Sequence, residues 1–196
     1  MDALPPETPL ETARLNRCAE SGGNQDKGAE KMLHIYTGEG KGKTTAAMGL
    51  ALRAIGHGKK VVILQFLKSG TSGELMPLTK LGATVISGKP GSKFVSAMSA
   101  EEKKETRKIH DEHLKMALGM SFDLLILDEA CAALKYDLVD PELIRKAISL
   151  KSEREIVMTG RDPAQFLLDA ADYITDMVCV RHPYERGITA REGIEY

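Results

Sequence analysis

The stretch of sequence that most constrains the fold is YTGEGKGKTTAAMG, residues 36–49, in which glycines and lysines separate a short apolar run from an Ala-rich segment. The glycine-rich phosphate loop known as the P-loop reads Gly, four residues, Gly, Lys and then Ser or Thr, and it joins a strand to a helix. Gly42, Lys43 and Thr44 complete that pattern, but Thr37 stands at the first glycine. Because Gly38 follows directly and can relax the exit from the strand, we predict a P-loop. The alternative is a surface turn that happens to be rich in Gly and Lys.

Strand-like and helix-like segments alternate through the rest of the chain, and several of the strand-like ones are apolar throughout. The strongest are KVVILQF, residues 60–66, and FDLLILDEA, residues 122–130. Continuous apolar strands separated by helices are typical of a parallel sheet that is covered by helices on both faces. We therefore predict an α/β fold for residues 31–196, a three-layer P-loop NTPase-like (RecA-like) domain with a mostly parallel central sheet.

Local signals predict where several individual elements lie. Ser99 and Glu102 form a capping-box pattern before a long charged helix. Asp140-Pro141 and Asp162-Pro163 each place a capping acid directly before a proline, which predicts two further helix starts. YITDMVCV, residues 173–180, is predicted to be the last strand.

The two ends of the chain are predicted to be irregular. Residues 1–30 combine three early prolines with a polar, glycine-containing run, so we predict a flexible N-terminal arm. Residues 181–196, RHPYERGITAREGIEY, are predicted to form an irregular C-terminal tail of the domain.

Composition narrows the classes of function. Lys and Arg number 27 and Asp and Glu 28, so the net charge of −1 argues against a protein that binds nucleic acid over its whole surface but leaves a local basic patch open. No apolar run reaches the length of a membrane span, and three scattered cysteines suit a reducing compartment. We expect a cytoplasmic protein with neither nucleic acid nor a membrane as its partner.

The loop and one strand end supply candidates for a nucleotide site with Mg²⁺ or Mn²⁺. Backbone N–H groups of the glycines and of the helix start bind anions, and Lys43 can reach a terminal phosphate. Thr44 places a hydroxyl where Mg²⁺ normally lies in such loops. Asp128 ends an apolar strand at the sheet edge where ligands bind, so it is a second candidate for the metal, and Glu129 beside it can activate a water or orient a substrate.

The sequence gives weaker evidence for a role of two arginines and two histidines in the site. Arg161, in MTGRDP, follows a predicted strand and can neutralise phosphate charge, but a simple surface arginine is the rival interpretation. Arg53 points either to the nucleotide or to solvent. His110 and His113 can share one helix face, but without a third ligand beside them no metal site is predicted.

The letters of these segments resemble one family closely. YTGEGKGKTTAAMGLALRAIGHGKKVVILQFLKS, residues 36–69, is similar to the opening of the P-loop type ATP:cob(I)alamin (corrinoid) adenosyltransferases, whose loop reads Thr-Gly-x-Gly-Lys-Gly-Lys-Thr-Thr. Thr37 is therefore the family's own form of the loop. LLILDE, TGR and the closing segment of residues 181–196 are also similar, and the resemblance covers residues 32–196.

The resemblance implies an enzyme that transfers the 5′-deoxyadenosyl group of its co-substrate ATP to the Co(I) of a reduced corrinoid and releases triphosphate. Co(I) is itself a strong nucleophile, so the chain needs no nucleophile of its own. The alternatives are a RecA-like ATPase or small-molecule kinase, and a corrinoid- or nucleotide-binding protein without turnover. The partners that we expect are a corrinoid, a flavoprotein-type electron donor and, in a homodimer, a second copy of the chain.

The resemblance also implies roles for particular residues. It assigns catalysis to Lys43, Glu129 and Arg161, and the metal to Thr44 and Asp128. The implied nucleotide-binding residues are Gly38, Glu39, Gly40, Lys41, Gly42, Lys43, Thr44, Thr45 and Arg53.

One departure from the family pattern concerns the corrinoid. Relatives often carry Phe-x-Trp before the long helix, and these aromatics are implied to crowd the lower face of the cobalt. Here Phe94 matches the Phe, whereas Ser96 stands in place of the Trp. Phe94 is therefore the corrinoid-binding residue that we predict.

Overall fold

The structure is a computed structural model that describes residues 30–70, 72–88 and 95–195. The flexible arm predicted for residues 1–30 lies outside these residues except for Glu30, and so does Phe94, the predicted corrinoid contact. Among the described residues no helix is long and apolar enough to cross a membrane.

The described chain contains six strands and six helices, with one helix between successive strands except for the two between β4 and β5. The strands are β1 (Leu33–Thr37), β2 (Val61–Gln65), β3 (Thr84–Ser87), β4 (Leu124–Asp128), β5 (Glu155–Thr159) and β6 (Tyr173–Asp176). The helices are α1 (Lys43–Gly56), α2 (Leu75–Lys80), α3 (Ala100–Leu118), α4 (Ala130–Lys135), α5 (Pro141–Ser149) and α6 (Gln165–Ala170). Three 3₁₀ turns complete the elements: Val95–Ala97, Leu150–Ser152 and Pro183–Arg186.

The strands form one sheet in the order β3-β2-β4-β5-β1-β6, and every neighbouring pair is parallel. β2 and β4 lie in its interior and are buried at each of their residues, which explains their continuous apolar sequences. The predicted three-layer α/β fold with a parallel sheet is confirmed.

Successive residues of one strand serve two separate cores. Leu125 and Leu127 of β4 belong to a large cluster that packs with residues of α3, α4, α5 and α6. Leu124 and Ile126 belong to a smaller cluster that includes Ala47 of α1. This alternation follows from the two-residue period of a strand, and it places α1, together with Leu78 of α2, on the face of the sheet opposite the larger cluster.

The capping predictions have mixed outcomes. Ser99 and Glu102 form the predicted capping box at the start of α3, and the Asp140 carboxylate accepts the N–H of Glu142 at the start of α5, at 3.0 Å. The prediction for Asp162-Pro163 was wrong, because α6 begins at Gln165 after Ala164. Asp162 has a φ of 49° and not the extended conformation of an N-cap residue, and its carboxylate pairs with the Lys135 ammonium at 2.5 Å.

The last strand is shorter than its sequence predicted, because β6 ends at Asp176. Beyond it, the Met177 N–H donates to the Thr37 carbonyl at 2.9 Å, and the Met177 carbonyl accepts the N–H of Gly40 at 2.5 Å. The backbone after β6 therefore turns from the sheet to the glycine loop. The 3₁₀ turn Pro183–Arg186 lies farther along, in the segment predicted to be irregular.

Candidate active site at the glycine loop

The glycine loop connects β1 to α1 at the carboxyl end of the sheet, and its conformation requires glycine. Gly38 and Gly42 have positive φ values of 99° and 119°, in the region that other residues avoid. At Gly40 a Cβ atom would lie 2.5 Å from the Met177 carbonyl oxygen and 2.8 Å from that of Val178. The glycines are therefore demanded by the close approach of residues 177–178 as well as by the turn itself.

The Lys43 side chain folds back over this loop. Its ammonium donates to the carbonyl oxygens of Gly38 and Gly40, at 2.5 and 2.8 Å. A positive charge thus lies at the mouth of the loop, directly in front of the first turn of α1, where the helix dipole also favours an anion.

The Asp128 carboxylate is the centre of a buried polar cluster. One oxygen, Oδ1, accepts the hydroxyls of Thr44 at 2.9 Å and Thr159 at 2.7 Å. The other, Oδ2, accepts the Lys68 ammonium at 2.6 Å and the Gln65 amide at 3.2 Å. Asp128 itself has no solvent exposure. The cluster thus ties α1 to the carboxyl ends of the adjacent strands β2, β4 and β5, the edge at which parallel α/β sheets bind ligands.

Glu129 follows in a strained conformation. Its φ is 63°, which is unusual for a residue other than glycine, and its N–H donates to Thr159 Oγ1 at 2.9 Å. Non-glycine residues in this region of φ and ψ persist only where the surroundings hold them, and they cluster at functional sites. The strain directs the carboxylate away from the sheet and into the cavity described next.

Charge and burial act on the Glu129 carboxyl in opposite directions. Burial raises its pKa above the ordinary value, and the negative charge of Asp128 raises it further. The cations Lys68, Lys43 and Arg161 lower it by smaller amounts. A partly buried acid among three cations is a feature of sites that bind or transform charged ligands.

A cavity of about 750 Å³ opens over the loop. It is lined by Glu39, Gly40, Lys41, Gly42, Lys43, Thr44, Thr45, Lys68, Glu129, Ala132, Lys135, Tyr136, Arg161, Asp162, His182, Ile194 and Glu195. The volume lies in the range of small-molecule and cofactor sites. Its five lysine and arginine side chains make it suitable for a polyanion.

The cations at the outer rim of this cavity pair with groups of the chain itself. Lys41 donates to the Ile194 carbonyl at 2.9 Å and lies 3.4 Å from Glu195 Oε1. Arg161 lies 3.2 Å from a carboxylate oxygen of Glu39. Because all of these side chains except that of Glu195 are half exposed or more, a ligand with several negative charges can replace their present partners.

A second cavity, of about 530 Å³, adjoins the first and shares Gly40, Lys41, His182 and Glu195 with it. Its other lining residues come from the segment after β6 and are largely apolar: Val178, Cys179, Val180, Arg181, Pro183, Tyr184, Ile188, Thr189, Ala190 and Arg191. The loop therefore lies between a charged cavity and an apolar one.

The structure brings most of the predicted site residues together. The predicted residues that line the charged cavity are Glu39, Gly40, Lys41, Gly42, Lys43, Thr44, Thr45, Glu129 and Arg161. Gly38 and Asp128 lie directly behind it, bonded to Lys43 and Thr44. Arg53 is exposed in the last turn of α1 and lines neither cavity, so its role in nucleotide binding stays a prediction.

Sequence reasoning missed three residues of the polar cluster: Lys68, Gln65 and Thr159. A signal was present, because Gln65 and Thr159 are the second-last residues of predicted strands and Lys68 follows one closely. Polar residues at such positions converge when their strands are neighbours, but the strand order was not known from the sequence.

The donor set around Asp128 fits a small, hard cation such as Mg²⁺. Thr44 Oγ1 and Asp128 Oδ1 are both oxygens and lie 2.9 Å apart. In the described residues Gln65 adds a buried Oε1 that has no hydrogen-bond partner. Those same residues contain no group of three His, Cys, Asp or Glu side chains suited to a metal. Mg²⁺ is commonly held by one or two protein oxygens together with substrate phosphates.

A parallel strand, a glycine loop, a helix that begins at Lys43-Thr44 and an acid at the adjoining strand end together define a P-loop nucleotide-binding protein. Residues 29–196 match the family described as ATP:corrinoid adenosyltransferase BtuR/CobO/CobP. The chain belongs to this family of enzymes, which use ATP to adenosylate corrinoids.

Individual relatives agree with the family match. The chain is 33% identical over 168 residues to the corrinoid adenosyltransferase of Escherichia coli (strain K12), and this aligned region covers 84% of this chain and 85% of that protein. Identity to the corrinoid adenosyltransferase CobA of Salmonella typhimurium (strain LT2) is 32%, with the same coverage. The corrinoid adenosyltransferase of Pseudomonas aeruginosa (strain PAO1) is 30% identical, over 84% of this chain and 83% of that protein.

Proposed function

We propose that the charged cavity holds the triphosphate of ATP while the 5′-deoxyadenosyl group passes to the Co(I) of a reduced corrinoid. The observation that carries this proposal is the convergence of Lys41, Lys43, Lys68 and Arg161 on one cavity over the glycine loop. A triphosphate is a ligand whose charge matches that set.

The reaction determines what the chain has to supply. The electron pair of Co(I) forms a bond to C5′ of ATP, the C5′–O5′ bond breaks, and its electron pair leaves with inorganic triphosphate. Because the substrate metal is the nucleophile, no side chain is needed for attack. The chain has to position C5′ and to stabilise the negative charge that develops on the leaving group.

The residues of the cavity divide these tasks among them. The loop N–H groups and Lys43 bind the phosphate that lies over the first turn of α1. Lys41 and Arg161 neutralise the outer phosphate oxygens after exchanging their present partners. Thr44 and Asp128 hold Mg²⁺ or Mn²⁺, which, when bound, offsets phosphate charge. Glu129 orients the groups around the triphosphate. Arg53 is not part of this proposal.

The apolar cavity is suited to the nucleoside part of ATP. Val178, Val180, Tyr184 and Ile188 offer it an apolar lining beside the loop, whereas Lys43, Lys68 and Arg161 line only the charged cavity. Burial of an adenine ring against such side chains removes apolar surface from water and fixes the ring's orientation.

Product analysis tests this function. Incubation of the protein with ATP, MgCl₂ and a chemically reduced corrinoid should give a light-sensitive product with a Co–C bond and one equivalent of triphosphate. ADP and phosphate as products would instead show an ATPase or kinase, and binding of both ligands without product would show a carrier. The family match does not favour these two alternatives.

The remaining assignments concern the surroundings of the enzyme. We infer a flavoprotein-type electron donor, since Co(I) has to be produced from a more oxidised corrinoid, and a cytoplasmic location, where such reductants act.

A homodimer is supported by β6, which pairs with β1 on one side and exposes 51% of Tyr173 and 52% of Ile174. Light scattering should give twice the mass of one chain, and Ile174→Lys should lower it to that of one chain.

A further inference from the structure

Lys68 holds a position that the proposed function reserves for the metal. Its ammonium lies 2.6 Å from Asp128 Oδ2 and 3.3 Å from Thr44 Oγ1. Asp128 and Thr44 are the two residues whose oxygens suit Mg²⁺. A single positive charge of the chain thus lies within hydrogen-bonding distance of both metal-binding groups.

The backbone before Lys68 is fixed by the core. Leu67 has a φ of 58°, and its N–H donates to His110 Nε2 at 3.3 Å. The other ring nitrogen, Nδ1, lies 2.8 Å from the Leu138 carbonyl oxygen. Since that oxygen can only accept, Nδ1 carries the proton and Nε2 is free to accept from Leu67. A buried, neutral histidine of α3 therefore holds the left-handed turn that directs Lys68 to Asp128.

The far end of Lys68 is less constrained than its backbone. The side chain is 27% exposed and lines the charged cavity, whereas Asp128 is fully buried. A lysine carries its compact charge on a flexible chain of four carbons. The ammonium can therefore leave Asp128 for a phosphate in the cavity without movement of the backbone.

We propose that Lys68 is a positioning residue that neutralises Asp128 in the absence of ligand and yields the place between Thr44 and Asp128 to the divalent metal when the triphosphate binds. The inference rests on the proposed function, because it takes that place to be the metal site. A buried carboxylate needs a cation beside it, and two cations at that distance repel each other. Lys68 therefore makes metal binding depend on the arrival of the phosphates, which attract the displaced ammonium.

Binding of Mn²⁺ in the absence of nucleotide tests the exchange, with the electron paramagnetic resonance signal of free Mn²⁺ as the readout. We expect weak binding to the wild type and at least about tenfold tighter binding to Lys68→Met, because Asp128 then lacks its cation. Lys68→Arg, which keeps a positive charge, should behave like the wild type. Lys59→Met removes an exposed lysine outside both cavities and is the matched control.

Thermal melting gives a second readout that does not involve turnover. Lys68→Met should melt at a lower temperature than the wild type in EDTA, and MgCl₂ should restore much of the difference while leaving the wild type unchanged. Lys68→Gln serves the same purpose if the Met variant does not fold. A purely structural ion pair would give the loss of stability without the rescue by metal, and that result overturns the proposal.

A third measurement separates failure of this inference from failure of the metal site. With ATP added, ultrafiltration should retain more Mn²⁺ with the wild-type protein than with Asp128→Asn, because the Mn²⁺ that free ATP binds passes through the filter in both cases. If this difference is seen but Lys68→Met gains no affinity for Mn²⁺ alone, the proposed replacement of Lys68 by the metal is wrong. The metal site at Thr44 and Asp128 is then still supported. If Mn²⁺ does not bind through Asp128 even with ATP, the metal assignment fails and the role of Lys68 fails with it.

Discussion

The inner and outer parts of the candidate site are built differently. In the inner part, Asp128 is fully buried and its four side-chain partners come from α1, β5, the end of β2 and the turn after it. In the outer part, Arg161 pairs with Glu39 and Lys135 with Asp162, and all four side chains are roughly half exposed.

This difference separates two tasks. Removing one member of a buried, hydrogen-bonded pair leaves the other member without a partner and without water to replace it. Exposed pairs contribute little to stability because solvent screens them. The inner part is therefore suited to holding groups in fixed positions, and the outer part is suited to exchanging partners when a polyanion enters. The predictions below test that division, from the largest expected effect to the smallest.

Lys43→Ala should have the largest effect on the reaction. Lys43 stands at the mouth of the loop, and the loss of one preorganised charged donor to a leaving group slows turnover by about 10²–10³-fold. The measurement is kcat for formation of the Co–C bond, with Lys59→Ala as the control. A rate within a few-fold of the wild type would remove Lys43 from the stabilisation of triphosphate.

Asp128→Ala should have the largest effect on stability. The substitution leaves the Thr44 and Thr159 hydroxyls, the Gln65 amide and the Lys68 ammonium without their shared acceptor, and each buried donor left unsatisfied costs about 1–3 kcal/mol of unfolding free energy. Asp162→Ala removes an exposed acid of the same cavity and should leave the free energy nearly unchanged. Urea denaturation of both variants compares the two parts directly, and equal losses would contradict the division.

The buried histidine behind the inner part should make stability depend on pH. Burial lowers the pKa of His110 below its ordinary value of 6.5, an effect that the nearby His113 reinforces and the bond to Leu138 opposes. Below pH 6.5 the His110 imidazole therefore binds a proton in the unfolded chain but not in the folded one. The free energy of unfolding should be fully maintained above that pH and should fall below it, by at most about 1.4 kcal/mol per pH unit.

Unfolding in urea at several pH values measures this slope. His110→Asn should flatten the slope between pH 5 and 6.5, whereas His57→Asn, at an exposed position, should not change it. An unchanged slope in His110→Asn would show that the histidine is not held neutral by its two partners.

Arg161→Ala should have a small effect on the reaction. The Arg161 side chain is 59% exposed and pairs with an exposed carboxylate, so its contact with phosphate is screened and its loss should lower kcat/KM roughly two- to fivefold. The loss should disappear at high salt, since screening weakens such contacts in the wild type as well. A loss comparable to that of Lys43→Ala would place Arg161 in the inner part.

The sequence predicted the parts of the site that depend on neighbouring residues. The loop, the helix after it and the acid at the end of β4 follow from local patterns of glycine, alanine and continuous apolar residues. So does the parallel sheet, because β2 and β4 carry no polar residue before their ends.

Contacts between distant segments were not predictable in this way. Lys68 meets Asp128 because β2 lies beside β4, and Thr159 joins them because β5 lies on the other side, an order that no single segment encodes. Lys41 and Glu195 are 154 residues apart in the chain, and Asp162 was misread as a cap because its partner, Lys135, is on another helix.

The close packing at Gly40 limits how the loop can be altered. Its N–H is already bound by Met177, and any side chain there would collide with two carbonyl groups of residues 177–178. An engineer who wishes to place another amino acid at this position would have to reroute the chain beyond β6 in the same step. Single substitutions at Gly40 therefore do not fit this structure, whereas combined changes in the glycine loop and in the segment after β6 can.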